Sequence, residues 1–404
     1  MKDSVAIVKT EECFSCRSCE QSCPKKSITL TENQEGFFYP KIDENCIQCG
    51  ICLSKCPAYK LREKKEDKPI EGQKCHALVN KDNNILKNSS SGGLFYNLAK
   101  EVLNNGGVVF GAAYNPFPNV RQTEVTSIND LHILQGSKYV YCDTEDSYSK
   151  VKIALIGGKK VLFSGSPCQV AGLYSFLSNS PHENLITVDI ICHGTPSRKF
   201  FAKYIESLSQ QKKSKVISYS FRDKTAHPLG AIKYVTEDGT VYINKVNVFD
   251  SYGAAFARHE NYKMSCYTCP FAKPQRISDI TIGDFWGIEK FAPNFSGANG
   301  VSVCICNTEK GRGLFDKISN GFDSIELDYL YAIQGNRCLR SPESLPDKRK
   351  SFYEDIDSST SMEFMKRIKT ESRIHFYYVS LKNMLYKNYT PKFIKKIISR
   401  VKHV

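Results

Sequence analysis

Two four-cysteine runs with a single spacing constrain this chain more than anything else in it. The first is Cys13, Cys16, Cys19 and Cys23, followed by Pro24; the second is Cys46, Cys49, Cys52 and Cys56, followed by Pro57. Each reads C-x2-C-x2-C-x3-C-P, and the runs start 33 residues apart, so they form an internal repeat. Three thiolates on one tight loop can cap three corners of a cubane iron–sulfur cluster, while the fourth, beyond the loop, points toward a neighbouring cluster. One cluster is therefore expected on Cys13, Cys16, Cys19 and Cys56, and the other on Cys46, Cys49, Cys52 and Cys23. A disulfide framework and paired zinc knuckles are the alternatives. Zinc favours C-x2-C pairs separated by a longer gap, and a double match by chance is very rare. Such a chain moves electrons or binds what moves them.

At 404 residues the chain has room for two or three domains of roughly 100–200 residues. Its apolar content, 41%, is that of a globular protein rather than a disordered one. Met1 to Glu12 carries no apolar stretch of the kind a signal peptide needs. The apolar runs are short and interrupted, as Asp189 interrupts Leu185 to Ile191, and none approaches the ~18 residues of a spanning helix. Seventeen cysteines without an export signal place the chain in a reducing cytoplasm, and oxygen-sensitive clusters suggest an anaerobe. The net charge of +14 is uneven: between Lys366 and Val404 eleven basic residues face one acid, Glu371. The basic character belongs to the tail.

The pattern divides into a ferredoxin-like module at 1–60, a linker at 61–73, an α/β region at 74–150 and 151–345, and a basic helical tail at 346–404. In the module, Ser27 to Leu30 and Gly36 to Tyr39 look like strands. Beyond it, strands are expected at Val108 to Ala113, Val161 to Ser164, Leu185 to Ile191, Ile277 to Ile282 and Val301 to Cys306. Helices are expected at Leu94 to Leu103 and Gln169 to Leu177, with a helix ending at Val151 to Ile156. Short apolar strands alternating with helices imply a parallel or mixed sheet. Ala231 to Val235 and Val241 to Ile243, joined by Asp238-Gly239, read as a hairpin. The expected fold class is thus a dicluster ferredoxin-like module followed by a mixed-sheet α/β domain.

A second cysteine set lies in that domain. Cys168 and Cys192 each follow a buried strand, and Cys266 and Cys269 form a C-x2-C pair. Ligands collect beyond the carboxyl ends of strands in open α/β sheets. A helix N-terminus beside Cys168 favours a thiolate. A third 4Fe–4S cluster on these four competes with a nucleophilic Cys168 served by His193 and with half of a zinc site. Cys304 and Cys306 alternate in a strand and read as core; Cys75, Cys142 and Cys338 lack such context.

Several further pieces complete a pattern: Ser89-Ser90-Ser91-Gly92-Gly93, Gly136-Ser137-Lys138-Tyr139, Gly165-Ser166-Pro167-Cys168-Gln169, Ile191-Cys192-His193-Gly194, Phe221-Arg222-Asp223-Lys224, Cys266-Tyr267-Thr268-Cys269 and Gly283-Asp284-Phe285-Trp286-Gly287. As an ordered set the chain resembles the coenzyme F420-reducing hydrogenase and dehydrogenase β subunits. The resemblance implies FAD, iron–sulfur clusters, and electron passage between a ferredoxin-type donor and a second acceptor. It raises the third-cluster reading over zinc and nucleophile.

For a flavin, Ser90, Ser91, Gly92 and Gly93 precede a helix whose N-terminus attracts phosphate, with a plain serine N-cap as the alternative. Gly136, Ser137 and Lys138 offer a second turn with a cation, unless Lys138 is a solvated surface lysine. Asp284 and Trp286 flank a turn where Trp286 covers a ring or anchors a core. Arg222 is set down as an ordinary salt bridge ahead of a substrate contact. His193 is the candidate acid–base catalyst.

The expected function is an iron–sulfur flavoprotein oxidoreductase, linking a ferredoxin or redox partner subunit to a small two-electron acceptor or donor. The rival is an electron-relay subunit with no substrate site of its own. A zinc or cysteine-dependent transferase comes third. No nucleic-acid partner is expected. The tail either packs on its own domain or lies on a membrane surface or partner.

Overall fold

The computed structural model describes residues 4–62, 70–178, 183–225, 227–228, 230–244, 250–295, 297 and 299–370. The linker segment 63–69 and the tail from 371 to 404 lie outside the described residues.

The cysteine repeat is also a repeat of backbone shape. Ser15 and Arg17 have φ of 55° and 58°, and Gln48 and Gly50, 33 residues later, have 51° and 73°. A four-residue helix follows each kink, Ser18–Gln21 and Ile51–Ser54. Three of these four left-handed residues carry a Cβ, a conformation that costs roughly 1–2 kcal/mol each, so the loops hold a shape that local preference does not supply. Strands β1 (Ile28–Glu32) and β2 (Phe38–Ile42) pair as an antiparallel hairpin beside them. The module's core is small: Val5, Ile28 and Cys52 are buried, with Cys19, Cys23, Ile42 and Cys56 packed around them.

The chain then builds β3 (Lys74–Asn80), β4 (Val108–Tyr114), β5 (Val120–Val125), β6 (Cys142–Asp143), β7 (Val161–Gly165) and β8 (Leu185–Ile190). A separate antiparallel sheet comes next, β9 (Val216–Asp223), β10 (Ala231–Thr236) and β11 (Val241–Asn244). Last come β12 (Ile280–Asp284), β13 (Ser302–Cys306) and β14 (Phe322–Asp328). The large sheet is mixed, in the order β14-β3-β13-β12-β8-β7-β4-β5-β6. Its centre, β4, β7, β8 and β12, is parallel, and its flanks are antiparallel through β13, β3, β14 and β5. All five residues of β13 are buried, as a strand covered on both faces requires.

Two helices show how this sequence aims its functional loops. Leu94, Leu98, Ala99, Val102 and Leu103 recur at helical spacing and bury one face of the helix Leu94–Asn104. The helix Pro167–Leu177 starts with proline and is closed by a reciprocal Ser166–Gln169 capping box, so Cys168 is held at its first turn. The helix Arg198–Lys212, capped by Ser197, carries Phe200, Phe201 and Tyr204 into an aromatic core with Tyr219, Phe221 and Tyr252. Phe364 and Met365 of the helix Ser361–Arg367 enter the same core, so the first part of the expected tail is folded onto the domain.

The module and the sheet domain touch at the cysteines. Tyr141 Oη donates to the Ser15 carbonyl at 2.9 Å and Thr144 Oγ1 to that of Cys16 at 3.0 Å. Arg17 joins Asp143 of β6 to its own Glu20, and the buried Arg349 forks onto Glu35 at 2.9 and 2.6 Å. A Cβ on Gly172 would lie 2.6 Å from Tyr148 Oη and 2.8 Å from Cys16 Cβ. Gly172→Ala is therefore expected to overpack this seam at a cost of about 1–3 kcal/mol. Thermal release of iron from the anaerobic protein would move to lower temperature; an unchanged release profile would contradict the contact.

Candidate functional site

The two cysteine runs interleave in space. Burial, then Cys19, Cys56 and Cys13, hold the Cys16 thiol far above its usual range. Cys19 is raised by burial and by Cys13, Cys56 and Cys52. Cys52 faces Cys46 and Cys23, and one cavity is lined by Cys23, Cys46, Cys49 and Cys52. Cys56 thus joins the first run's three sulfurs and Cys23 joins the second's. The two sets differ in exposure: Cys16 lies buried against the sheet domain, whereas Cys49 is exposed beside exposed Ile47 and Ile51. Backbone N–H groups of Ser15 and Ser27 donate to Cys13 and Cys23 sulfur at 3.4 and 3.3 Å, contacts of the kind that tune a cluster's potential.

The other four cysteines gather at one edge of the large sheet. Cys168 follows β7 and Cys192 follows β8, whose parallel ends face the same way. Cys266 closes the short helical turn Met264–Cys266, with Cys269 three residues on. Burial pushes Cys168 up to about 11, helped by Cys269, and Cys266 up to about 12, helped by Cys269 and Cys168. Cys192 is raised by burial, then by Cys266, Cys168 and Cys269. The backbone N–H groups at the helix start and the Ser166 hydroxyl, 3.2 Å from Cys168 sulfur, pull the other way, as expected of a helix start, but are outweighed by burial. Among the described residues a trio of metal-binding donors within 4.8 Å occurs elsewhere, not among these four.

Lys263 lies between the first set and this one. It is 1% exposed, and among the described residues its ammonium has no hydrogen-bond partner. The Tyr39 ring centroid is 3.4 Å away and that of Phe37 5.3 Å. Burial lowers its pKa to about 8, opposed by Cys13, Cys266, Glu35 and Cys168 in that order. A buried ammonium without an acceptor is costly. An anionic cluster on either side would supply what it lacks, so the residues present fit iron–sulfur centres in both places. Phe14 and Phe271, next to the two sets, pack with ring centroids 5.4 Å apart.

The expected flavin residues also converge on this sheet edge. Ser90 Oγ accepts from the Ser137 N–H at 2.7 Å, which joins the Ser-Gly stretch to the Gly136 turn. Gly93, not a serine, caps the helix Leu94–Asn104, and no side chain satisfies the first N–H groups, which leaves them available to an anion. Lys224, buried beside them, donates to the carbonyls of Ser91 at 2.5 Å and Leu86 at 3.3 Å. Burial lowers its pKa to about 8, and among the described residues it has no hydrogen bond to a carboxylate. That cation and the open helix start fit a phosphate-bearing cofactor.

Other residues have internal roles. A Cβ at Gly92 would strike the Leu78 carbonyl of β3 at 2.1 Å, so this glycine serves strand packing. Lys138 is not a solvated surface lysine: its ammonium donates to the carbonyls of Ile133 and Gln135. Asp284 is held by Arg222 at 2.5 Å, the salt bridge set down for Arg222. Trp286 is 48% exposed and anchors no core. His193 Nδ1 stands 3.4 Å from Cys338 sulfur, a cysteine that sequence spacing gave no reason to single out. Burial lowers the His193 pKa against the pull of Glu343.

Residues 158–327 match the family described as the C terminus of the coenzyme F420 hydrogenase/dehydrogenase beta subunit, and residues 12–67 match the 4Fe-4S dicluster domain. An uncharacterized ferredoxin of Methanocaldococcus jannaschii is 35% identical over 51 residues, 13% of this chain and 66% of that protein. The B component of the ion-translocating oxidoreductase complex of Methanosarcina acetivorans is 39% identical over 57 residues, 14% of this chain and 19% of that protein. The VorC component of the ketoisovalerate oxidoreductase of Methanothermobacter marburgensis is 32% identical over 60 residues, 14% of this chain and 76% of that protein. The chain thus spans less than two thirds of the first two relatives. Among solved structures, a chain of the F420-reducing NiFe hydrogenase complex of Methanosarcina barkeri aligns with a TM-score of 0.47 and 19% identity, covering 72% of this chain and 95% of that one.

The cysteine runs and the matched families define an iron–sulfur protein of the oxidoreductase type, made for electron transfer. Residues 158–327 carry the C-terminal region of the coenzyme F420 hydrogenase/dehydrogenase beta subunit family, and a 4Fe–4S dicluster domain at residues 12–67 precedes it.

Because burial holds these thiols protonated, iron must displace protons to bind. Below their raised pKa values, higher pH lowers that cost. Iron and sulfide uptake by the anaerobic apo-protein is expected to rise from pH 6.5 to pH 8.5 (about two pH units), read by absorbance and iron analysis. Uptake that fell over this range would contradict the burial argument.

Proposed function

We propose that the chain is an iron–sulfur flavoprotein oxidoreductase, passing electrons between a ferredoxin-type donor and a two-electron acceptor through three 4Fe–4S clusters and FAD. The observation that carries the proposal is Lys263, a buried cation lodged between the first cysteine set and Cys168, Cys192, Cys266 and Cys269. Bound clusters supply one-electron steps and a bound flavin joins them to two-electron chemistry.

The chain's own residues set the order of the path. The set with exposed Cys49 meets the outside partner. The set around Cys16 passes inward across the Gly172 seam. The set at the ends of β7 and β8 comes next, on the sheet edge that carries Lys224 and the open helix start at Leu94. Ser90, Ser91, Gly93, Gly136, Ser137 and Lys224 are assigned to the cofactor's phosphates, with Asp284 and Trp286 at the nearby turn. Lys138, committed to carbonyls, and Gly92, committed to β3, position these loops. His193, whose pKa burial lowers, is left without a proton-transfer role here.

The relay reading, with no substrate site, draws support from how many of the Ser-Gly groups are satisfied internally. Anaerobic purification with iron, sulfide and flavin quantitation separates the two. Flavin near one equivalent, with turnover of a two-electron acceptor by reduced ferredoxin, is the expected result. Clusters without flavin would overturn the flavin part. In a three-cluster protein, Cys168→Ala is expected to lower iron from about twelve to about eight per chain; a loss confined to the N-terminal clusters would count against the third.

Lys263→Met tests the carrying observation. With iron content preserved, removing the cation is expected to lower the reduction potential of the two adjacent clusters by tens of millivolts, about 1–2 kcal/mol of Coulomb energy at an effective dielectric near 20. Potentials unchanged in a redox titration would place the ammonium elsewhere.

A further inference from the structure

We propose that His193, Cys338 and Glu343 form a mononuclear site for a borderline divalent cation, zinc by preference, separate from the iron–sulfur centres. His193 Nδ1 lies 3.4 Å from Cys338 sulfur and 3.9 Å from Glu343 Oε1, and Cys338 sulfur lies 3.7 Å from the same oxygen. Tetrahedral zinc bonds of about 2.0–2.3 Å place nitrogen, sulfur and oxygen donors about 3.3–3.7 Å apart. The three separations are close to that triangle, and the trio is the one group of its kind within 4.8 Å among the described residues.

A hydrogen-bond account of the cluster is incomplete. Cys338 and Glu343 are 2% and 4% exposed. Glu343 Oε2, shut away from water, has ion-pair partners but no well-aligned hydrogen bond among the described residues, and the contacts to Oε1 are long. Buried carboxylates are ordinarily well bonded or bound to metal. Around Oε2 stand Arg337 Nη1 at 3.2 Å and His259 Nε2 at 3.5 Å. Those two are placed to orient the carboxylate from behind while Oε1 faces the cation, the arrangement that supports metal ligands elsewhere. Thiolate and carboxylate together balance a 2+ charge. Imidazole, thiolate and carboxylate also make a donor set suited to zinc rather than to calcium or magnesium.

Three protein donors leave a fourth position. His193 is the half-exposed member, with 38% of its side chain accessible, so that position faces outward. The site would tie the loop after β8, which carries Cys192, to the segment from Arg337 to Glu343, which covers it. None of this depends on the flavin or on the third cluster being present.

The test uses the full chain, purified without air with its iron sites filled, given zinc and then desalted. About one zinc per chain is expected to remain, with one sulfur near 2.3 Å and nitrogen or oxygen near 2.0–2.1 Å in X-ray absorption at the zinc edge. Cys338→Ser and Glu343→Gln are each expected to cut retained zinc about tenfold while iron, measured in the same sample, stays at the parent level. Zinc absent from the parent chain, zinc equally retained by both variants, or an all-sulfur shell would each overturn the site. Low iron with zinc retained would instead count against the cluster reading.

Discussion

A cation withdrawn from water with no acceptor sets the terms at the centre of this protein. Lys263 cannot reach solvent, and its nearest neighbours are the rings of Tyr39 and Phe37. Cation–π attraction offsets part of the desolvation, about 2 kcal/mol at best, against a larger cost of burial. The remainder is met only by negative charge, and the groups near enough to carry it are the cysteines on either side and Glu35. The same ammonium therefore explains why the module and the sheet domain belong together. Each brings a set of thiols that is hard to ionise alone, and the charge between them is shared.

The seam around that cation is built to be close. Gly172 lets a helix lie directly on Cys16; Tyr141 and Thr144 hold the module's backbone, Arg349 holds its Glu35, and the module's own Arg17 reaches Asp143. Electron transfer between centres depends on distance and on excluded water, so bulk at this seam is unfavourable. The contrast with the far side of the module is physical too. Cys49, Ile47 and Ile51 are open, while Cys16 is buried against the sheet domain. No helix among the described residues is long and apolar enough to cross a membrane.

What was legible in the sequence follows how local each signal is. The cysteine runs were readable because ligand geometry for a cubane is encoded within a dozen residues. The strands β4, β7, β8, β12 and β13 were readable because they are short apolar runs, and Cys168 and Cys192 could then be placed at strand ends. The strands β3, β5, β9 and β14 mix polar and apolar residues without a clean period, as Lys74–Asn80 and Phe322–Asp328 do, and they were not singled out. Cys338 was invisible for another reason. Its neighbours His193 and Glu343 are brought to it by tertiary packing, and only Glu343 is near in sequence. Gly92 shows how one residue can answer two demands: a glycine expected beside a phosphate is also required by the chain's own β3, whose Leu78 carbonyl leaves no room for a Cβ.

The sheet edge gives the closing constraint. Parallel β7, β8 and β12, together with β3, all end there, so the loops that leave them meet in one region. Carboxylates there are few and engaged. Asp284 is held by Arg222, and Glu343 sits apart with the histidines. Lys224 and the first N–H groups of the helix from Leu94 thus leave a positive remainder with carbonyls alone to answer it. A thiol set raised far above neutral lies beside it. The two imbalances call for opposite charges: Lys224 and the helix start would be answered by an anion such as a phosphate, and thiols that resist ionisation by metal cations that displace their protons.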